Sequence, residues 1–198
     1  MVILMTNSYD FDEQLDFGSD WEAYAKDRLQ ELFSAVSVSN IDYNQRPELQ
    51  RAGVDVLFQQ SETTIDIKTQ RNDYFHTGNL PIEVMSVAEE CIPGWFHDAE
   101  SDLVVWVYPN KAGTNLYQTG YLMPLTDGLR DWFDKTAEQY RYIETQTTGR
   151  YGTYHTGCRL VPVTEFPDEY LVEFDPRIPT NRETPQSDIQ RWAGETNE

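Results

Sequence analysis

Gly53-Val54-Asp55-Val56-Leu57-Phe58 and Thr64-Ile65-Asp66-Ile67-Lys68-Thr69-Gln70 are the two stretches whose reading decides the fold. Val54 to Phe58 and Thr64 to Thr69 alternate in character and predict neighbouring strands, joined by a Gln59-Gln60-Ser61-Glu62 turn. Side chains alternate along a strand, so Ile65 and Ile67 point to one face while Asp66, Lys68 and Gln70 point to the other. One face is apolar and packs inward; the other carries an acid, an amine and an amide in a row. Asp55 lies opposite that row if the hairpin register brings it there. Two carboxylates held together repel, and a divalent cation between them relieves the repulsion. An oxygen-only set of this kind suits Mg2+ or Mn2+ better than zinc.

Asp55, Asp66-Ile67-Lys68 and Gln70 resemble the D…(D/E)-x-K(-x-Q) signature of the PD-(D/E)XK nuclease superfamily. Their setting is similar too: the Asp-x-Lys lies on a predicted strand, behind a Gly-Val-Asp-Val strand, and after an amphipathic helix that carries Glu22. Asp66 replaces the commoner Glu, and Val54 stands where the family usually has Pro. Thr77-Gly78-Asn79-Leu80-Pro81-Ile82-Glu83-Val84-Met85-Ser86, then Pro93-Gly94-Trp95-Phe96 and Asp102 to Tyr108, loosely resembles a branch found in phages and archaeal viruses. The resemblance implies a restriction-endonuclease-like core and a Mg2+-dependent phosphodiesterase, with Mn2+ as a substitute ion. It implies a metal held by Asp55, Asp66 and the Ile67 carbonyl, catalytic roles for Lys68 and Gln70, and Glu22 joining directly or through water. The implied partner is nucleic acid, DNA in the first instance.

The rest of the chain sets the frame. It has 198 residues, enough for one domain with a sizeable core. No apolar run is long enough to span a membrane, and Met1-Val2-Ile3-Leu4-Met5 is too short for a signal peptide, so a cytoplasmic protein is the expectation. Cys91 and Cys158 form no close pair; both read as small buried side chains rather than a disulfide or zinc ligands. The 34 acidic residues against 15 basic give a formal charge of −19, and Lys26, Lys68, Lys111 and Lys135 are the whole lysine complement. Such self-repulsion is unfavourable at low salt, whereas at molar salt the screening length falls to about 3 Å. The composition suits a halophilic archaeon or its virus. An acidic interaction protein or nucleic-acid mimic is the other reading of the same balance.

In chain order, residues 1–18 read as an acidic lead-in, with a short strand at Met1 to Met5 and a mobile stretch from Thr6 to Gly18. Residues 19–174 read as one domain and residues 175–198 as a polar tail. Ser19 or Asp20 caps a helix from Trp21 to about Ala35, whose stripe is Trp21, Ala25, Leu29, Leu32 and Phe33. Glu22, in its first turn, also has a structural reading as a carboxylate on the helix dipole. Arg71 to Leu80 reads as a loop of aromatics and donors beside the site, and Pro81 to Ser86 as a third strand carrying Glu83. Leu103 to Tyr108 is a buried central strand, Leu116 to Met123 another, and Pro124 to about Tyr140 a helix. Thr145 to Gly157 has few acids; Arg150, Tyr151 and His155 there, with Arg71, are the candidates for touching a polyanion, a flexible hairpin loop being the plainer reading. Helix, strands, then further strands and a helix indicate an α/β three-layer sandwich around a central mixed sheet. A catalytically silent nucleic-acid-binding or protein-interaction module stays open as the alternative to an enzyme. A homodimer is compatible with the sequence.

Overall fold

Thr64–Thr69 forms strand β4, the span its alternation predicts, at the centre of a six-stranded sheet. The computed structural model describes residues 3–10, 21–22, 24–25, 38–40, 48–49, 52–54, 56–58, 63–111, 115–149 and 152–176. In the six-stranded sheet, β2 (Val38–Asn40), β3 (Val56–Phe58) and β4 run as an antiparallel meander. β7 (Leu103–Val107) then lies parallel to β4, and β8 (Gly120–Pro124) and β11 (Val172–Phe174) continue antiparallel beyond it. Every residue of β7 and β8 is buried, as expected of strands covered on both faces. Asp102 staples the start of this pair: its Oδ2 accepts from the Thr64 backbone N–H at 2.7 Å and from the Thr64 hydroxyl at 2.8 Å.

The connection from β4 to its parallel neighbour β7 builds much of a second sheet. The chain passes through a one-turn helix α1 (Asn72–Phe75), the long strand β5 (Asn79–Val87), the short β6 (Ile92–Pro93) and the one-turn helix α2 (Trp95–Asp98). β5 pairs with β6 on one side and with β10 (Gly152–Pro162) on the other. β10 pairs with β9 (Arg141–Gly149), and β9 is parallel to β1 (Ile3–Asp10), completing a five-stranded sheet.

The mixed α/β class therefore matches the sequence, but the strands divide between two sheets instead of filling one central sheet. β5, expected as a third strand, joins β10 in the second sheet, where Leu80, Ile82 and Val161 bury their side chains in the core shared by the two sheets. The first ten residues depart from the acidic lead-in: Ile3 to Asp10 is a strand, and Thr6 to Asp10 belongs to it. Thr145 to Gly157 is not a loop either; apart from residues outside the description it is the paired hairpin of β9 and β10. The Gln59 to Glu62 turn, most of the helix expected to Ala35 and the tail from residue 177 lie outside the described residues.

Helix α3 (Asp127–Thr136) covers the shared core. Thr126 caps it by accepting the Leu129 N–H at 3.2 Å, Asp127 favours its first turn and Lys135 its last, and Leu129 and Phe133 are buried. Arg130 on this helix donates to the carbonyls of Phe96 and Ala99, satisfying orphan acceptors at the end of α2. The shared core joins Leu80, Ile82, Phe96, Val104, Trp106 and Phe133; a second cluster on the other face of β4 and β7 joins Ile65, Ile67, Leu103, Val105 and Ala25.

Candidate active site

The register of β4 on β7 fixes which side chains share a face. Asp66 pairs with Val104 and Lys68 with Trp106, whereas Ile65 pairs with Leu103 and Ile67 with Val105. Residues directly opposed across a ladder project together. Asp66 and Lys68 therefore stand on the face that Val104 and Trp106 turn to the shared core, and the polar face is covered like the apolar one. Asp66 is only 4 % exposed. Lys68 Nζ lies 2.7 Å from Asp66 Oδ2, so the amine and the acid of the motif form a direct ion pair.

Glu83 approaches from the other sheet. Burial raises its pKa above the ordinary carboxylate value; the Trp95 N–H and Lys68 pull it back down, and Asp66 pushes it up. Its Oε1 accepts the backbone N–H of Trp95 at 3.3 Å. The indole of Trp95 lies under the Lys68 ammonium, 5.1 Å from nitrogen to ring centroid, and packs against Trp106. On the other side, the turn at Gly53 (φ +71°) runs past Asp66: a Cβ on Gly53 would lie 3.7 Å from Asp66 Oδ2. Gln70 extends the ladder by donating its N–H to the Val107 carbonyl at 3.1 Å, and its Oε1 is buried with no hydrogen-bond donor among the described residues.

The structure thus brings Asp66, Lys68 and Glu83 within one another's fields, with Gln70 and Arg71 following on the same chain segment. Asp55, Arg150 and Tyr151 lie outside the described residues. Glu22 sits on a helical turn whose neighbours Trp21, Tyr24 and Ala25 pack on Ile65 and Ile67, the face of β4 away from Asp66. Arg71 is half-buried at the start of α1. His155 is engaged by Glu89: its ring Nδ1 is 2.5 Å from Oε1 and its N–H donates to Oε2, and this holds the Glu89 pKa at about 2. The contact with Glu89 takes up the His155 ring that the sequence offered for phosphate. Cys91 is exposed in a left-handed turn (φ 55°), contrary to the expected burial, while burial and then Glu83 push the Cys158 thiol up to about 12.

Gly94 and Trp95 are site residues to which the sequence reading gave no role beyond their part in the loose resemblance. A Gly before a Trp reads locally as a bend and a core side chain. Their link to Lys68 arises from packing between elements far apart in the chain.

Asp66 fits one anchor of a hard dication as a buried oxygen donor, its Oδ2 lying beside the Gly53 turn and 2.7 Å from Lys68 Nζ. Among the described residues, no three His, Cys, Asp or Glu side chains form a group able to hold a metal ion. No described helix is long and apolar enough to cross a membrane. No family model, curated protein or solved structure matches the chain.

Proposed function

We propose that the protein is a metal-dependent nuclease that hydrolyses phosphodiester bonds in DNA, with the Asp66–Lys68 pair at its centre. The observation that carries this reading is the 2.7 Å contact between the two charges, one of them, Asp66, buried in the sheet. Burying the Asp66 carboxylate there, with only a partly exposed ammonium to offset it, gives a fold little stability that an apolar side chain would not give better, and this supports a chemical role. In the proposal Asp55 supplies the second carboxylate. Asp55 directly precedes β3 in the sequence, and β3 pairs with β4 as Val56 with Ile65. The Ile67 carbonyl and a restriction-endonuclease-like arrangement of layers belong to the same reading.

Mg2+, or Mn2+ in its place, would polarise the scissile phosphate and lower the pKa of an attacking water. The chain's own residues do the rest. Asp66, buried, keeps its charge fixed in direction. Lys68 presents a compact ammonium that positions the nucleophile and offsets the charge gathering on the phosphate. Gln70, whose Oε1 has no described donor, orients water or the substrate backbone. Arg71 follows directly, where a phosphate contact would place the strand. With a formal charge of −19, DNA is held by the metal, local donors and stacking, in salt high enough to screen the acidic surface.

The test is incubation of circular and linear DNA with Mg2+ or Mn2+ in high KCl, comparing wild type with Lys68→Ala and Asp66→Asn. Wild type is expected to cleave, Lys68→Ala to lose about 10²–10³-fold in kcat, and Asp66→Asn to lose metal-dependent cleavage while keeping the fold. Cleavage indifferent to both substitutions refutes the assignment. DNA binding by wild type without cleavage would assign the silent module instead.

A further inference from the structure

Lysine is a poor residue to leave unguided. Its charge is compact, strongly hydrated and carried on a flexible four-carbon stem. In this protein an indole lies beneath the ammonium, backed by a second indole. Trp106 is its neighbour across the β4–β7 ladder, and Trp95 packs on Trp106 with centroids 5.8 Å apart while lying 5.1 Å from the Lys68 ammonium.

Trp95 is itself held by the backbone of the second sheet. Gly94 donates its N–H to the Val84 carbonyl at 3.0 Å and presses so close to β5 that a Cβ there would meet the Glu83 carbonyl oxygen at 2.4 Å. No side chain fits that approach. The next N–H, that of Trp95, is taken by Glu83 Oε1. Backbone and carboxylate together fix where α2 begins, and so where the indole lies.

We infer that Trp95 is the positioning residue of Lys68: its ring face holds the ammonium against Asp66, and Gly94 with Glu83 hold the ring. An aromatic face attracts a cation without accepting a proton and without using up its directional N–H donors. A carboxylate in the same place would compete with Asp66 for the amine; a face leaves the N–H groups for Asp66 and for a phosphate oxygen. The catalytic consequence rests on the nuclease reading. The placement does not.

Two measurements separate them. Only four lysines are present, so the Lys68 ε-methylene resonances are assigned by their disappearance in Lys68→Met. In wild type they are expected upfield of the other three lysines through the ring current of Trp95, still shifted in Trp95→Phe, and at the ordinary lysine position in Trp95→Leu. All four lysine ε-methylene signals at the ordinary position in wild type overturn the inference, and that reading needs no variant to fold. So does an upfield position that survives Trp95→Leu. In DNA cleavage, Trp95→Leu is expected to lower kcat about tenfold with KM little changed, and Trp95→Phe to restore most of it. Equal kcat in Trp95→Leu and wild type also overturns it. If wild type cleaves nothing while the upfield shift is present, the nuclease reading fails and the positioning stands.

Discussion

Breaking the Asp66–Lys68 pair one charge at a time tests whether it is coupled as its geometry requires. The two groups are 2.7 Å apart, with side-chain exposures of 29 % for Lys68 and 5 % for Asp66. A solvent-exposed pair contributes about 0–1 kcal/mol. Removing one partner of a fully buried pair costs about 3–5 kcal/mol, because a charge is left stranded. With one member buried and the other partly exposed, Lys68→Met is expected to cost about 2 kcal/mol, the stranded Asp66 carboxylate being the larger part. Asp66→Asn leaves the ammonium with solvent access and an indole face, and should cost about 1 kcal/mol. The double variant strands neither charge, so it should be less destabilised than the sum of the singles by about 1–2 kcal/mol. Urea unfolding followed by tryptophan fluorescence measures this; with a slope near 2 kcal/mol/M, Lys68→Met moves the midpoint down by about 1 M. Urea leaves the salt free to vary, and a contact this short and this covered should keep most of its coupling between about 0.1 and 2 M KCl. Single effects that add to within about 0.5 kcal/mol, or a coupling that disappears on adding KCl, would refute the reasoning: the charges would then be separately solvated.

Two further outcomes are expected. The Glu83 carboxyl has a folded-state pKa above 4.5, chiefly through burial, so the folded state binds its proton more tightly than the unfolded chain does. The stability this contributes is fully present below pH 4.5 and is lost as pH rises through the folded-state value. Glu83→Gln should therefore gain on wild type as pH rises and then level off, read as urea midpoints from acid to neutral pH; a constant difference would show that Glu83 is not the titrating group. The formal charge of −19 predicts that circular dichroism will show folding completed only as KCl is added, and full folding in salt-free buffer would sink the high-salt adaptation.

What the sequence made legible was local. β4 spans the residues its alternation marks, β7 ends one residue short of Tyr108, and α3 lies within the predicted Pro124 to Tyr140, because each is set by a period of two or 3.6 within a few residues. The Asp66–Lys68 face followed from the same period. Partner choice was not legible. β5 looks like a third strand after β4, yet nothing within Asn79 to Val87 says that its mate is β10. Thr145 to Gly157 reads as a loop by its polarity, although its threonines are β-branched and pair, the Thr148 and Thr153 hydroxyls lying 3.1 Å apart. His155 looked free for phosphate until Glu89, 66 positions away in the chain, proved to be its neighbour. That Trp95 lies under Lys68 depends on how two sheets meet.

The pairing of Ile3 with Ile143 has a consequence for biosynthesis. β1 is made well ahead of the strand it pairs with, Ile3 standing opposite Ile143. At about 5–20 residues per second, β1 waits roughly 7 to 28 s before β9 exists to receive it. Through that interval Ile3 to Asp10 is an unsatisfied edge on a nascent chain, the kind of segment that joins a neighbouring polysome product or is sheltered by a chaperone. Yield in a heterologous host should therefore depend on how fast the stretch between β1 and β9 is translated.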